Sequence, residues 1–108
     1  MKRRPGLLIV LVTAPDVSVA RKLGRAALDR RLIACANIVP RIESYYWWKG
    51  EIEHSTEILL LLKTTKRRLS KLHNLILEMH PYDTPEFVVL ESLAVTERYL
   101  RWAMASVK

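Results

Sequence analysis

Cys35, His80, Asp83 and Glu86 are of the residue types that bind metal ions or move protons. Cys35 lies in an apolar run, where a free cysteine normally behaves as a small buried hydrophobe. Exposed and close to positive charge, it would instead be a copper-binding or redox-active thiolate. His80 ends a segment of helical periodicity, where an imidazolium would satisfy the terminal carbonyls and the helix dipole; the alternative is contact with a metal or ligand. It opens the string His80-Pro81-Tyr82-Asp83-Thr84-Pro85-Glu86, whose two prolines stiffen a loop fit to wall a cleft. A second group is basic. Lys63, Lys66, Arg67 and Arg68 gather at the start of a helical segment, beside Thr64 and Thr65. That pattern reads either as a solvated basic face or as an anion site, where hydroxyls and free amides receive a carboxylate or phosphate. His54 and His73 read as ordinary surface or packing histidines.

Other chemistries are excluded. One cysteine in 108 residues forms no internal disulfide framework and no cysteine-rich zinc module. The three glycines, Gly6, Gly24 and Gly50, are too dispersed for a dinucleotide loop or a P-loop. There is no G-x-S-x-G elbow, no H-E-x-x-H pair and no acid pair of the glycosidase kind, so no enzyme is expected. A formal charge of +7 invites a nucleic-acid reading. Residues 1–31 hold eight basic and two acidic groups and residues 63–73 hold five basic ones, whereas the segments between and after them are mildly acidic. The excess therefore reads as a basic outer coat, and no specific nucleic-acid partner is expected.

These groups have to be positioned by a single domain, residues 1–108. Met1-Lys2-Arg3-Arg4 and the apolar run Leu7 to Val12 imitate a signal peptide, but Pro15-Asp16 follows at once. So short an apolar run reads as a strand buried on both faces, far below the about 20 residues of a membrane helix. Residues 1–6 are expected to be a flexible basic arm. The expected location is the cytoplasm, with the lone thiol reduced and no membrane partner.

Asp16 or Ser18 caps a helix with Ala20, Leu23, Gly24, Ala27 and Leu28 on one face, ending near Arg30-Arg31. Ile33 to Trp48 and Ile52 to Lys63 read as the arms of an unusually long hairpin turning at Lys49-Gly50, with Pro40 marking an edge or bulge. Tyr45-Tyr46-Trp47-Trp48 puts an aromatic pair on each face of that ribbon. One small core cannot cover both faces, so an oligomer is expected. Thr64-Thr65 is expected to cap a second helix, with Leu69, Leu72, Ile76 and Met79 buried and His80-Pro81 as its stop. Glu86 to Leu93 reads as a strand, and Thr96 opens a last helix. The order β-α-β-β-α-β plus a C-terminal helix is that of an α+β, ferredoxin-like split βαβ fold, an antiparallel sheet with two helices on one face. RNA-recognition modules share this fold but stack bases on aromatics of the central strands; here those strands, Leu7 to Val12 and Ile58 to Leu62, are aliphatic.

Six segments, taken in order, carry a family likeness: Thr13-Ala14-Pro15-Asp16, Ala34-Cys35-Ala36-Asn37, Ser44 to Ile52, Lys63-Thr64, His80 to Glu86 and Tyr99-Leu100-Arg101-Trp102. Together they resemble the CutA divalent-cation tolerance family. The resemblance implies a ferredoxin-like homotrimer, similar in organisation to the PII signalling proteins, with long hairpins pairing between subunits and a cleft at each junction. It implies a part in tolerance of copper and other divalent cations, with copper or another such ion loosely bound and no reaction attached. The junction cleft would draw on Cys35, Asn37, Trp48, Lys63, Thr64, Tyr82 and Glu86, with His80 as the metal ligand. Some bacterial members carry a cysteine just before the T-A-P-D turn and a second histidine before H-P-Y; Val12 and Met79 stand at those places here. The alternative function is a PII-like regulator, binding a small anionic effector and a protein partner.

Overall fold

The apolar run at Leu7 becomes one of two central strands. In the computed structural model, which describes residues 1–108, the chain order is β1 (Lys2–Arg3), β2 (Leu7–Ala14), α1 (Val17–Asp29), β3 (Cys35–Trp48), β4 (Glu51–Thr65), α2 (Leu69–Met79), β5 (Val88–Glu91), β6 (Ala94–Val95) and α3 (Glu97–Ser106). The main sheet runs β3-β4-β2-β5, and every neighbouring pair is antiparallel. This is the expected ferredoxin-like order, with β2 and β4 central.

Alternation along the strands sorts the sheet into two faces. Val10, Val12 and Ala14 of β2 and Ile58, Leu60 and Leu62 of β4 point toward α1 and α2, where they meet Leu23, Ala27, Leu72, Leu75 and Ile76. A leucine as fully buried as Leu60 or Leu72 contributes about 1.5–3 kcal/mol of transfer free energy. Asp16 caps α1 by accepting from the Val19 amide at 2.8 Å. A Cβ on Gly24 would stand 3.1 Å from that of Ala36, so glycine lets α1 lie close on β3. The opposite face is only partly covered. There α3 packs Ala103 and Val107 against Leu7 and Ala34, leaving Val88 and Leu90 of β5 exposed.

The hairpin turns at Lys49-Gly50, both with positive φ (49° and 80°), the geometry of a tight two-residue turn. Pro40 marks a bulge as expected: Val39 pairs with Leu59 and Ile42 with Glu57, so three steps of β3 answer two of β4. The four hairpin aromatics are all exposed.

Three expectations are corrected. The N-terminal arm, expected to be flexible, has Lys2 and Arg3 paired with Val95 and Ala94 in a second, two-stranded sheet. Thr64 and Thr65 do not cap a helix, because β4 runs on through Thr65 and a 3-10 turn, Lys66–Arg68, precedes α2. The Thr64 side chain faces the core instead, and its hydroxyl donates to the Leu32 carbonyl at 2.7 Å. Leu75 is buried on α2, whereas Met79, in the last turn and expected to be buried, is exposed.

Candidate functional site

Where α2 gives way to the proline-bracketed loop, His80 ties three segments together. Its Nε2 donates to the Thr13 carbonyl at 2.7 Å, and the Tyr82 amide donates to its Nδ1 at 3.1 Å. One nitrogen donating and one accepting is the arrangement of a neutral imidazole. Both ring nitrogens are thereby hydrogen-bonded within the chain. Within the single chain His80 thus tethers the loop to the sheet, its partners being a β2 carbonyl and a loop amide.

The loop then carries the Tyr82 ring against His80, with ring centroids 4.7 Å apart, and the phenol donates to Glu57 Oε2 at 3.0 Å. Glu57 is only 8% exposed and has no basic partner, since the single ion pair of the protein is Arg25–Asp29. Burial, and then the hydrogen bond to Glu57 and its charge, push the Tyr82 phenol up to about 12. Partial burial, and then the charge of Glu57, raise the Glu86 carboxyl above its ordinary value. These side chains line a cleft of about 810 Å³ at the base of the hairpin, with Trp48, Asp83 and Glu43 on its walls. Four carboxylates and no lysine or arginine line it, so in a chain of charge +7 this cleft is locally acidic. Nowhere do three or more His, Cys, Asp or Glu side chains converge as a metal-holding cluster.

The remaining expected residues lie elsewhere. Cys35 and Lys63 are paired across β3 and β4, and Asn37 joins them: its Oδ1 accepts from Lys63 Nζ at 2.9 Å and from the Cys35 thiol at 3.4 Å. Lys63 Nζ also lies over the Tyr99 ring, 5.6 Å from its centroid. Lys63 is six residues along β4 from Glu57, about 20 Å at a strand's rise. So a single chain divides the expected cleft in two. Tyr82 and Glu86 line the cleft beside Glu57, and Trp48, next to the hairpin turn, lines its outer part; Cys35, Asn37 and Lys63 meet at the far end of the same sheet face; Thr64 is buried on the other face. Glu57 was missed. Its signal was a lone acid just ahead of the aliphatic run Ile58 to Leu62, in phase with the outward residues of the strand.

A ferredoxin-like sheet with a projecting hairpin and a carboxylate-lined cleft defines a small α+β protein. Residues 8–106 match the family model described as CutA1 divalent ion tolerance protein. The divalent-cation tolerance protein CutA of Thermus thermophilus is 43% identical over 94 residues, which cover 87% of this chain and 91% of that one. The CutA homolog of Danio rerio is 40% identical over 99 residues, covering 92% of this chain and 66% of that longer protein. Among solved structures, CutA from Synechococcus elongatus superposes with a TM-score of 0.93 at 34% identity, covering 99% of this chain and 95% of that one. The chain belongs to the CutA divalent-cation tolerance family.

Proposed function

We propose that the protein is a homotrimeric, cation-responsive module whose clefts gather divalent cations loosely at the subunit junctions. The carrying observation is the cleft itself: four carboxylates, no basic side chain, and a Glu57 that is nearly buried without a counter-ion. Three-fold closure joins two different patches of neighbouring subunits. The exposed hairpin aromatics and the open sheet face with Val39, Val88 and Leu90 are apolar surface for such a contact. Opposite charge at the Glu57 and Lys63 ends of that face favours a head-to-tail arrangement, in which one subunit's carboxylates approach its neighbour's Cys35, Asn37 and Lys63. With the His80 nitrogens occupied and Cys35 distant in the same chain, oxygen-liganded hydrated ions fit the cleft better than copper held by sulfur and nitrogen. The free thiol of Cys35 supports a reducing, cytoplasmic setting. No helix is long and apolar enough to cross a membrane.

Sedimentation equilibrium and calorimetric titration with magnesium and copper(II) test this reading. The expected result is a trimer that binds both ions weakly, with affinity several-fold lower in Glu57→Gln, as removal of a nearly buried charge requires. A monomer at micromolar concentration, or a Glu57→Gln variant that binds as wild type does, overturns it. A second reading, a regulator with a small anionic effector, rests on Lys63, whose ammonium has no carboxylate partner. A thermal shift with citrate that vanishes in Lys63→Ala would favour that reading, because only a ligand of the native state raises the midpoint.

A further inference from the structure

At the end of the sheet opposite the hairpin, basic side chains arrive from separate stretches of the chain. The Lys108 amide donates to the Arg31 carbonyl at 3.0 Å, Arg31 Nη1 reaches the Ser106 carbonyl at 3.4 Å, and Arg68 Nε donates to the Lys108 carbonyl. These bonds hold together the end of α1, the 3-10 turn before α2 and the residues after α3. Beside them lies a concavity of about 430 Å³ lined by Arg30, Leu32, Arg68, Lys71 and Asn74. Arg68, Lys71 and Asn74 follow one another at intervals of three residues, which places them on one side of the helical turn. Arg30 meets them from the end of α1, and the buried Leu32 completes the lining. No aspartate or glutamate side chain lines this concavity, and the only side-chain ion pair of the protein, Arg25–Asp29, does not involve its three cations. Like charges that share a concavity without a counter-charge repel one another.

We propose that this concavity binds an oligophosphate group, whether inorganic or the phosphate tail of a nucleotide. The site is separate from the carboxylate cleft and shares no residue with it. Guanidinium groups offer planar forks to adjacent phosphate oxygens, and the lysine adds a mobile point charge. Only Nε of Arg68 is used within the chain, so its two Nη groups remain for a ligand. The Asn74 amide adds an uncharged donor at the edge. Three cations match a run of two or three phosphates, whereas a single carboxylate would leave most of the charge uncompensated.

Calorimetric titration of the full chain with inorganic tripolyphosphate at low ionic strength is the test. Saturable binding at one site per chain is expected, about tenfold or more weaker in Arg30→Gln/Lys71→Gln, which removes two charge-assisted contacts. Arg21→Gln/Lys22→Gln removes the same charge from the exposed side of α1 and should leave the affinity unchanged. Thermal denaturation of both variants shows whether they are folded; if the first is not, Lys71→Gln alone keeps one contact's loss measurable. A nucleoside triphosphate that binds no tighter than tripolyphosphate would show that phosphate alone is read. A tighter one would show that the base is read as well, and either result upholds the site. No saturable binding, an equal loss in both double variants, or affinity that grows with the length of single-stranded DNA overturns it; the last would show a backbone-tracking surface instead.

Discussion

The middle of β4 and its C-terminal end bear opposite chemistry on the same face of one sheet. Glu57, Leu59, Leu61 and Lys63 alternate along it, so a carboxylate and an ammonium bracket two leucines. The two regions are also built differently. At the Glu57 end, side chains make the long-range connections: His80 reaches a carbonyl 67 positions away and Tyr82 a carboxylate 25 positions away. At the Lys63 end side-chain bonds of similar span, Lys63 to Asn37 26 positions away and Thr64 to Leu32 32 positions away, are joined by backbone bonds such as Ala34 N–H to the Lys63 carbonyl at 2.8 Å. The net charge of +7 thus averages over a bipolar molecule, in which the acid pole is a tethered cleft and the basic pole a clamped junction of chain segments.

Removing the tether at each pole tests that difference most directly. His80→Ala leaves the Thr13 carbonyl and the Tyr82 amide without partners and removes the ring packed on Tyr82. It should lower the unfolding free energy by about 2–4 kcal/mol, read by urea denaturation. At the other pole, Thr64→Val keeps the side-chain shape and leaves only the Leu32 carbonyl unpaired, a loss of about 1–2 kcal/mol. A larger loss at Thr64 than at His80 would break the comparison.

The next effect is confined to alkaline pH. The Tyr82 phenol titrates near 10 in the unfolded chain and is raised to about 12 in the fold. Its contribution is therefore fully present below pH 10 and is lost as the pH rises through about 12. Urea midpoints measured across that window should fall more steeply in wild type than in Tyr82→Phe. Glu57→Gln removes the neighbouring charge, so the tyrosinate absorbance of Tyr82 should move back toward its ordinary range. Identical slopes in wild type and Tyr82→Phe would mean that the acid pole does not hold the phenol.

How much of this was legible in the sequence depends on how local each cause is. The element order, the Lys49-Gly50 turn and the bulge at Pro40 follow from short-range rules: side-chain periodicity, positive φ and a missing amide proton. The pairing of Lys2-Arg3 with Ala94-Val95 carries no such signal, because two residues have no periodicity and the partner is distant in the chain. Thr64 misled for a physical reason, since a threonine before a helix looks like a cap whether its hydroxyl faces the helix or the core. The site divided along the same line. His80 to Glu86 was visible as a proline-stiffened loop, and the contact of Tyr82 with Glu57 depends on where β4 places one carboxylate in three dimensions. Of the basic concavity only Arg68 had stood out, as one of the Lys63 to Arg68 cluster, whereas the approach of Arg30 to Lys71 is a property of the packed helices.

The smallest effect concerns the charge that shapes the acid pole. In the fold, partial burial and then Glu57 raise the Glu86 carboxyl, so the folded state holds this proton more readily than the unfolded chain does. A carboxyl shifted in that direction stabilises the protein below its unfolded value, about 4.3, and the contribution is lost as the pH rises through the folded value. At neutral pH the ionised Glu86 consequently works against the fold. Glu86→Gln should raise the neutral thermal midpoint slightly and reduce the gain in stability on acidification. In a Glu57→Gln background the same substitution should gain less, because one of the two causes is already gone and only burial remains. Magnesium should reverse the ranking, stabilising wild type more than Glu86→Gln, since a cation bound only by the native state compensates the carboxylates that otherwise repel. If Glu86→Gln instead lowers the neutral midpoint, the carboxylate makes a favourable contact in the fold, and the acid pole is balanced without any cation.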